Sequence, residues 1–280
     1  MQGTLGKFHH SSLCAIAAGF LLLSGKNFAA DDACKQPSAD CVAVGGWNIS
    51  MALGAGLRTN PLVHGQDLPL VIVPHVSYYG ERFFLDNLDL GFTLWDGDMN
   101  TVSLIASPGY DRVYFYRTDL QNIFVSGFSP TGETSVGTSE RVAPRSRHVT
   151  YLAGPEWTFK YHGVTGQLDV LQESTGQRGE EVRAAIGIPV NMLKGTLTTN
   201  LGTTWKSADI VNYFYGAPGI YAAGSAFDPF LKVGYALPLS RKWRFSAFAQ
   251  YEHLSNAIAN SPIVAERYVA TVFVGAVYAY

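Results

Sequence analysis

Three groups of residues have types and spacing that chemistry could use. His253-Leu254-Ser255 puts an imidazole two residues before a hydroxyl. On a strand that spacing places both side chains on one face, as a base and its nucleophile require for acyl hydrolysis. A third group to orient the base is missing, because Asn256 falls on the opposite face if the strand continues. Chance polar residues at a strand end explain the pair as well. Asp96, Asp98 and Asn100 in WDGDMN form half of a calcium loop with no further ligand in range, and read more simply as a tight polar turn. Cys34 and Cys41 in CKQPSADC could hold a metal or close a small disulfide loop. No His or further Cys lies nearby, and the even pair favours the disulfide in an exported chain. The sequence has no CxxC pair, HExxH, P-loop or dinucleotide fingerprint, and no cofactor is expected.

The remaining polar chemistry is a set of charges within apolar strands. From Gly46 onward the pattern has period two. Trp47, Ile49, Met51, Leu53 and Leu57 share one face of GWNISMALGAGLR, and Asn48, Ser50 and Arg58 share the other. The same split recurs through the chain and sorts Arg58, His75, Glu156, Lys160, Asp169, Arg183, Lys206, Asp228, Lys232, Arg244 and Glu252 onto one side. Facing hydrocarbon, a charge costs about 2–4 kcal/mol at mid-membrane, so these residues are expected in a barrel lumen. They would either fill a narrow interior with salt bridges or line the constriction of a pore. Twelve strands enclose a modest lumen, which favours the filled interior.

The strands expected are 46–58, 68–80, 82–95, 99–107, 111–118, 147–161, 163–173, 181–192, 195–206, 226–238, 241–254 and 266–280. Many are longer than the five or six residues usual in globular proteins and match the 9–11 of tilted membrane strands. Aromatics near the strand ends (Trp47, Tyr78, Trp157, Trp205, Trp243, Tyr251) suit interfacial girdles. The fold class read from this is all-β, an antiparallel transmembrane barrel of about 12 strands. With the N-terminus in the periplasm, the outside connections are 59–67, 96–98, 119–146, 174–180, 207–225 and 255–265. The inside ones are Gly80-Glu81, the SPGYD near 107–111, Gly163, Asn191–Gly195 and PLSR at 238–241. Asp86, Asn87 and Asp89 within 82–95 also fit a bulged strand or two short ones. A soluble sandwich or a lipocalin-like barrel is the rival, since alternation alone does not say which face points inward.

Lys7 precedes the apolar run LCAIAAGFLLL, which is too short to span a bilayer and right for a signal peptide over residues 1–30. Residues 31–45 would be a periplasmic segment, with the barrel over 46–280. Removing the signal takes Lys7 and Lys26 and no acid, leaving 18 Lys and Arg against 22 Asp and Glu, a net charge of −4. No basic block remains for nucleic acid.

GAGLRTNP and LPLVIVPHVSYYGERFFLDNLDLGFTL resemble the MipA/OmpV family of outer-membrane proteins. The carrying residues are Gly54 to Leu57, Pro74 to Tyr78, Phe83-Phe84 and Leu90 to Phe92. The resemblance returns at YFYGAPG (Tyr213 to Gly219) and at LSNAIANSPIVAER, and covers about residues 45–280. It implies a non-enzymatic outer-membrane scaffold that links a lytic transglycosylase to a murein synthase. Other members imply a small channel or a surface adhesin. The His253-x-Ser255 pair is similar to that of an outer-membrane phospholipase, also a twelve-stranded barrel, which leaves a hydrolase as a remote alternative. YVATVFVGAVYAY ends on Tyr280 with Tyr278 on the same face, which resembles the C-terminal signal read by the barrel-assembly machinery. This last strand is expected to close the barrel against Gly46–Arg58, since an open edge cannot lie against outer-membrane lipid.

Overall fold

The structure, a computed structural model, describes residues 45–115, 147, 148, 150–176 and 179–280. The expected signal peptide over 1–30, Cys34, Cys41 and the 119–146 connection lie outside the described residues. Twelve antiparallel strands close into one barrel. They are β1 Gly46–Arg58, β2 Leu68–Tyr79, β3 Phe83–Asp86, β4 Asp89–Asp96, β5 Asn100–Pro108 and β6 Tyr151–Tyr161. β7 Val164–Glu173, β8 Glu180–Met192, β9 Gly195–Lys206, β10 Ala226–Pro238, β11 Trp243–His253 and β12 Tyr268–Ala279 complete it. β12 closes against β1, from Ser50↔Ala279 to Arg58↔Thr271.

The faces are inverted relative to a soluble protein. Trp47 (63% exposed), Leu201 (63%) and Phe227 (56%) point outward, while Asp228 (0%) and Lys232 (6%) point inward. An apolar exterior around buried charges is stable only in hydrocarbon, which rules out the sandwich and the lipocalin-like barrel. At the terminal rim, where β1 begins and β12 ends, Trp47 lies 5.1 Å from Tyr78 and Trp243 lies 4.9 Å from Tyr278, ring to ring. These pairs form part of an aromatic girdle.

Two expected strands differ. Residues 82–95 are a hairpin, β3 and β4, with Asp86 opposite Asp89 across Asn87-Leu88. Asn87 takes the left-handed φ of 52° that such a turn requires, and its N–H and amide oxygen pair with the Val76 backbone. The start of the expected 111–118 strand is not a strand, because Tyr110–Tyr114 forms a 3-10 helix, and residues 116–118 lie outside the described residues. Period three puts Asp111 and Tyr114 on one side, where both bury polar groups inside the barrel, whereas a strand would split them between faces.

The two changes cancel in strand number but reassign the connections. The 96–98 turn joins the terminal rim, and 107–111 belongs to the long connection between β5 and β6 on the far rim. The terminal rim then carries only turns of two to four residues, and the far rim carries every long connection. β6 begins at Tyr151 rather than 147, because Arg147 leaves the wall to join the far-rim cap.

Candidate functional site: the barrel interior

Among the described residues a cap drawn from four connections lies over the far mouth. Helix α1 (Ala208–Tyr215) lies between β9 and β10, and helix α2 (Asn256–Ala259) between β11 and β12. Val211, Phe214, Tyr215, Ile258 and Ile263 have at most 1% of their surface exposed. The cap is stitched by Ser261 Oγ donating to the Tyr215 carbonyl at 2.6 Å and by Val63 N–H donating to the Ile263 carbonyl at 2.9 Å. The buried Arg147 donates to the Phe214 carbonyl at 2.8 Å and stacks over the Phe115 ring.

Beneath the cap the 3-10 helix plugs the lumen. Asp111 accepts from Lys206 Nζ at 2.7 Å and from the Tyr215 hydroxyl at 2.8 Å, both within the buried interior. Arg58 donates to the Tyr114 hydroxyl at 2.7 Å, and Asn60 donates to the Tyr114 carbonyl at 3.0 Å. Burial pushes the Tyr114 phenol up to about 12, with Arg58 opposing it. Burial also raises Tyr215 well above its ordinary range, and Asp111 adds to the shift. Both phenols therefore keep their protons, and Tyr215 serves as a donor to Asp111.

Arg183 divides the space into two cavities. It donates to Glu181 at 2.6 Å and to Ser107 Oγ at 2.9 Å, and lies over the Tyr110 ring. The cavity on the cap side, about 40 Å³, is lined by Arg58, Asp111, Tyr114, Lys206 and Glu252. The other, about 70 Å³, is lined by Asp86, Asp89, Glu156, Asp169, Lys232 and Phe84 among others. Each has room for a few water molecules. Glu156 and Asp169 share the amide of Gln167, at 3.1 Å and 2.9–3.0 Å.

The expected lumen charges fall into these two groups. Arg58, Lys206 and Glu252 lie on the cap side, with Asp228 accepting from the Ser255 N–H at 2.8 Å. Glu156, Asp169 and Lys232 lie on the other, and Arg183 touches both. Lys232 Nζ sits 4.9 Å from the Phe248 ring centre. Arg244 is buried among the inward residues of β11, and Lys160 is half-buried near the terminal rim. His75 pairs with Asp86 at 3.0 Å. Asp86 and Asp89, read from sequence only as bulge or turn residues, and Glu181 and Asp111 were not among the expected lumen charges. Strand phase could have found Glu181, two residues before Arg183, but the others needed the hairpin and the 3-10 helix.

The remaining motifs are structural. Ser255 is not on the β11 face with His253, because it caps α2 beyond the strand end and turns its backbone N–H to Asp228. Among the described residues no hydrogen bond joins Ser255 to His253. Asp96 accepts from the Thr101 hydroxyl at 2.7 Å and Asn100 from the Trp157 indole at 3.2 Å, within a hairpin turn.

Residues 53–280, nearly the whole of this barrel, match the model of "MltA-interacting protein MipA". The chain belongs to this MipA family. It is similar to the Escherichia coli strain K12 protein named "Putative outer membrane protein YiaT", with 24% identity over 77% of this chain and 84% of that one. It is also similar to the MltA-interacting protein of the same strain, with 22% identity over 82% and 89%. Among solved structures, an anion-selective porin from Comamonas acidovorans aligns with 12% identity over 84% of this chain and 99% of that chain, at a TM-score of 0.35. The MipA-family chain described here is an outer-membrane β-barrel.

Proposed function

We propose that this protein is a closed outer-membrane scaffold whose terminal rim faces the periplasm and docks murein-modifying enzymes, a lytic transglycosylase and a murein synthase. The observation that carries this reading is the filled interior. A lumen blocked by the Asp111–Lys206–Tyr215 cluster and sealed by the cap leaves the rims as the working surfaces. The relative named MltA-interacting protein supplies the class of partner. The five short turns, together with residues 31–45 pinned by a Cys34–Cys41 disulfide, form the docking face.

Tagged protein should capture a lytic transglycosylase from a solubilised envelope extract, identified by mass spectrometry and by murein-hydrolase activity in the eluate. Enrichment no greater than on an unrelated outer-membrane barrel would remove the scaffold reading. Assembly depends on the last strand. The Tyr280 ring is 87% exposed while its N–H donates to the Ile49 carbonyl at 3.0 Å. Tyr280→Asp keeps that backbone bond and loses only the aromatic read by the assembly machinery. The variant should disappear from the outer-membrane fraction and lose heat-modifiable migration. Wild-type levels of folded variant would show that Tyr280 carries no signal.

A further inference from the structure

Two buried carboxylates in the larger cavity lack a counter-charge. Glu156 and Asp169 stand opposite each other across β6 and β7 and are 6% and 1% exposed. The Gln167 amide donates to both, at 3.1 Å to Glu156 and 2.9 Å to Asp169. Among the described residues no ion pair reaches either of them. Arg183 shares the cavity but pairs with Glu181 at 2.6 Å, and Lys232 Nζ lies over the Phe248 ring, 4.9 Å from its centre. The neighbouring Asp86 is matched by His75 at 3.0 Å. An ionised carboxylate held out of water needs a proton or a cation beside it.

A third group decides between the two. Asn200 is 3% exposed and lines the same cavity, and its Oδ1 has no hydrogen-bond partner. Gly187 keeps the space beside it clear, since a Cβ there would fall 2.7 Å from Asn200 Oδ1 and 2.8 Å from Thr165 Oγ1. A proton shared by Glu156 and Asp169 would leave the Asn200 oxygen unsatisfied, whereas a hydrated cation satisfies all three. We propose that Glu156, Asp169 and Asn200 bind a hydrated divalent cation, of the class of Mg²⁺, which enters from the terminal rim. Among the described residues no three carboxylate or imidazole groups converge on a bare ion, so this one keeps part of its water. Mg²⁺ does so where only one or two carboxylates hold it. A cavity of about 70 Å³ has room for the ion and a few waters. Toward the terminal rim the inward positions of β5, β6, β7 and β9 include Ser103, Thr101, Thr158, Thr165, Thr198 and Thr196, all hydroxyls. Of these Thr101, Thr165 and Thr196 are only half-buried. On the cap side Arg183, Lys206 and Arg58 would repel a cation. The site is independent of what docks at the rim.

The test titrates untagged full-length mature protein, folded in a non-ionic detergent, with Mn²⁺, and reads free Mn²⁺ by electron paramagnetic resonance. Wild type should remove one Mn²⁺ per barrel, and added Mg²⁺ should release it. Glu156→Gln combined with Asp169→Asn keeps the side-chain shapes and should abolish this binding. Asn200→Ala leaves both carboxylates in place and should weaken binding about tenfold or more, the usual cost of losing a supporting group at a metal site. Asp98→Asn, at the exposed turn before β5, should bind as wild type. A wild-type barrel that removes no Mn²⁺, or a double variant that binds it equally well, would overturn the site and leave a shared proton as the counter-charge. If the double variant gives no heat-modifiable band, Asn200→Ala decides instead, and unchanged affinity there would overturn the site.

Discussion

Asp111→Ala is expected to unlock the lumen. Its carboxylate is the shared acceptor of Lys206 and Tyr215, and all three are buried. The substitution leaves an ammonium and a phenol facing an empty position, and breaking a buried pair in this way costs about 3–5 kcal/mol. Arg58–Tyr114 and Asn60–Tyr114 would remain among the bonds that hold the 3-10 helix. Wild-type protein should be silent in planar bilayers, and Asp111→Ala should give frequent openings. Its heat-modifiable transition should also fall in temperature. Asp111→Asn keeps an acceptor for Tyr215 without the charge for Lys206, and should lie between the two. An Asp111→Ala barrel that stays silent and melts as wild type would show that the cluster holds no plug.

This expectation separates the scaffold from the channel. If the interior were a working pore, charges such as Lys160 and Arg244 would set its conductance in the unaltered protein. With a plug, conductance depends first on Asp111, and wall charges matter only after it is lost. Ala52, Leu70, Val73, Phe248, Phe273 and Val277, from β1, β2, β11 and β12, form an apolar cluster inside the barrel where the closing strands meet. Charged residues share those strands, with Arg58 on β1, His75 on β2 and Arg244 and Glu252 on β11.

The wall was legible in sequence because its period is strict and its exterior is uniform. Inward and outward residues of β1, β6, β8 and β11 follow from alternation alone, and the long strands fix the setting. The interior was less legible for a physical reason. Alternation says which face a charge occupies but not which charge it meets, and Lys206 and Asp111 are 95 residues apart. The plug was misread because DRVYFY alternates well enough to pass for a strand, while its partners, contributed by β9 and α1, select period three. The β3–β4 hairpin was half legible. Asp86, Asn87 and Asp89 are turn residues, but only the Val76–Asn87 pairing shows why the chain reverses there. That reversal limits β3 to four residues.

Gly54→Val is expected to prevent the barrel from closing. Gly54 stands opposite Gly275 in the β1–β12 register. A Cβ at Gly54 would fall 2.7 Å from the Gly275 Cα and 2.8 Å from the Phe273 ring, and would run into the Val274 carbonyl oxygen. A Cβ at Gly275 would meet the Gly54 Cα at 2.8 Å and the same ring. Phe273 therefore lies over a pair of glycines and covers backbone that has no side chain of its own. Two of the three obstacles are backbone and cannot swing away. In a soluble sheet such a strain could be relieved by fraying one edge. Here the two edges must meet, because neither can remain unpaired in hydrocarbon. A local clash thus becomes a failure of the whole fold. Gly54→Val should yield no heat-modifiable band and no protein in the outer-membrane fraction. Gly234→Ala is the matched control, since a Cβ there finds its nearest neighbour at 3.6 Å, an ordinary contact. It should assemble as wild type, and equal assembly of both variants would show that the glycine pair does not set the seam.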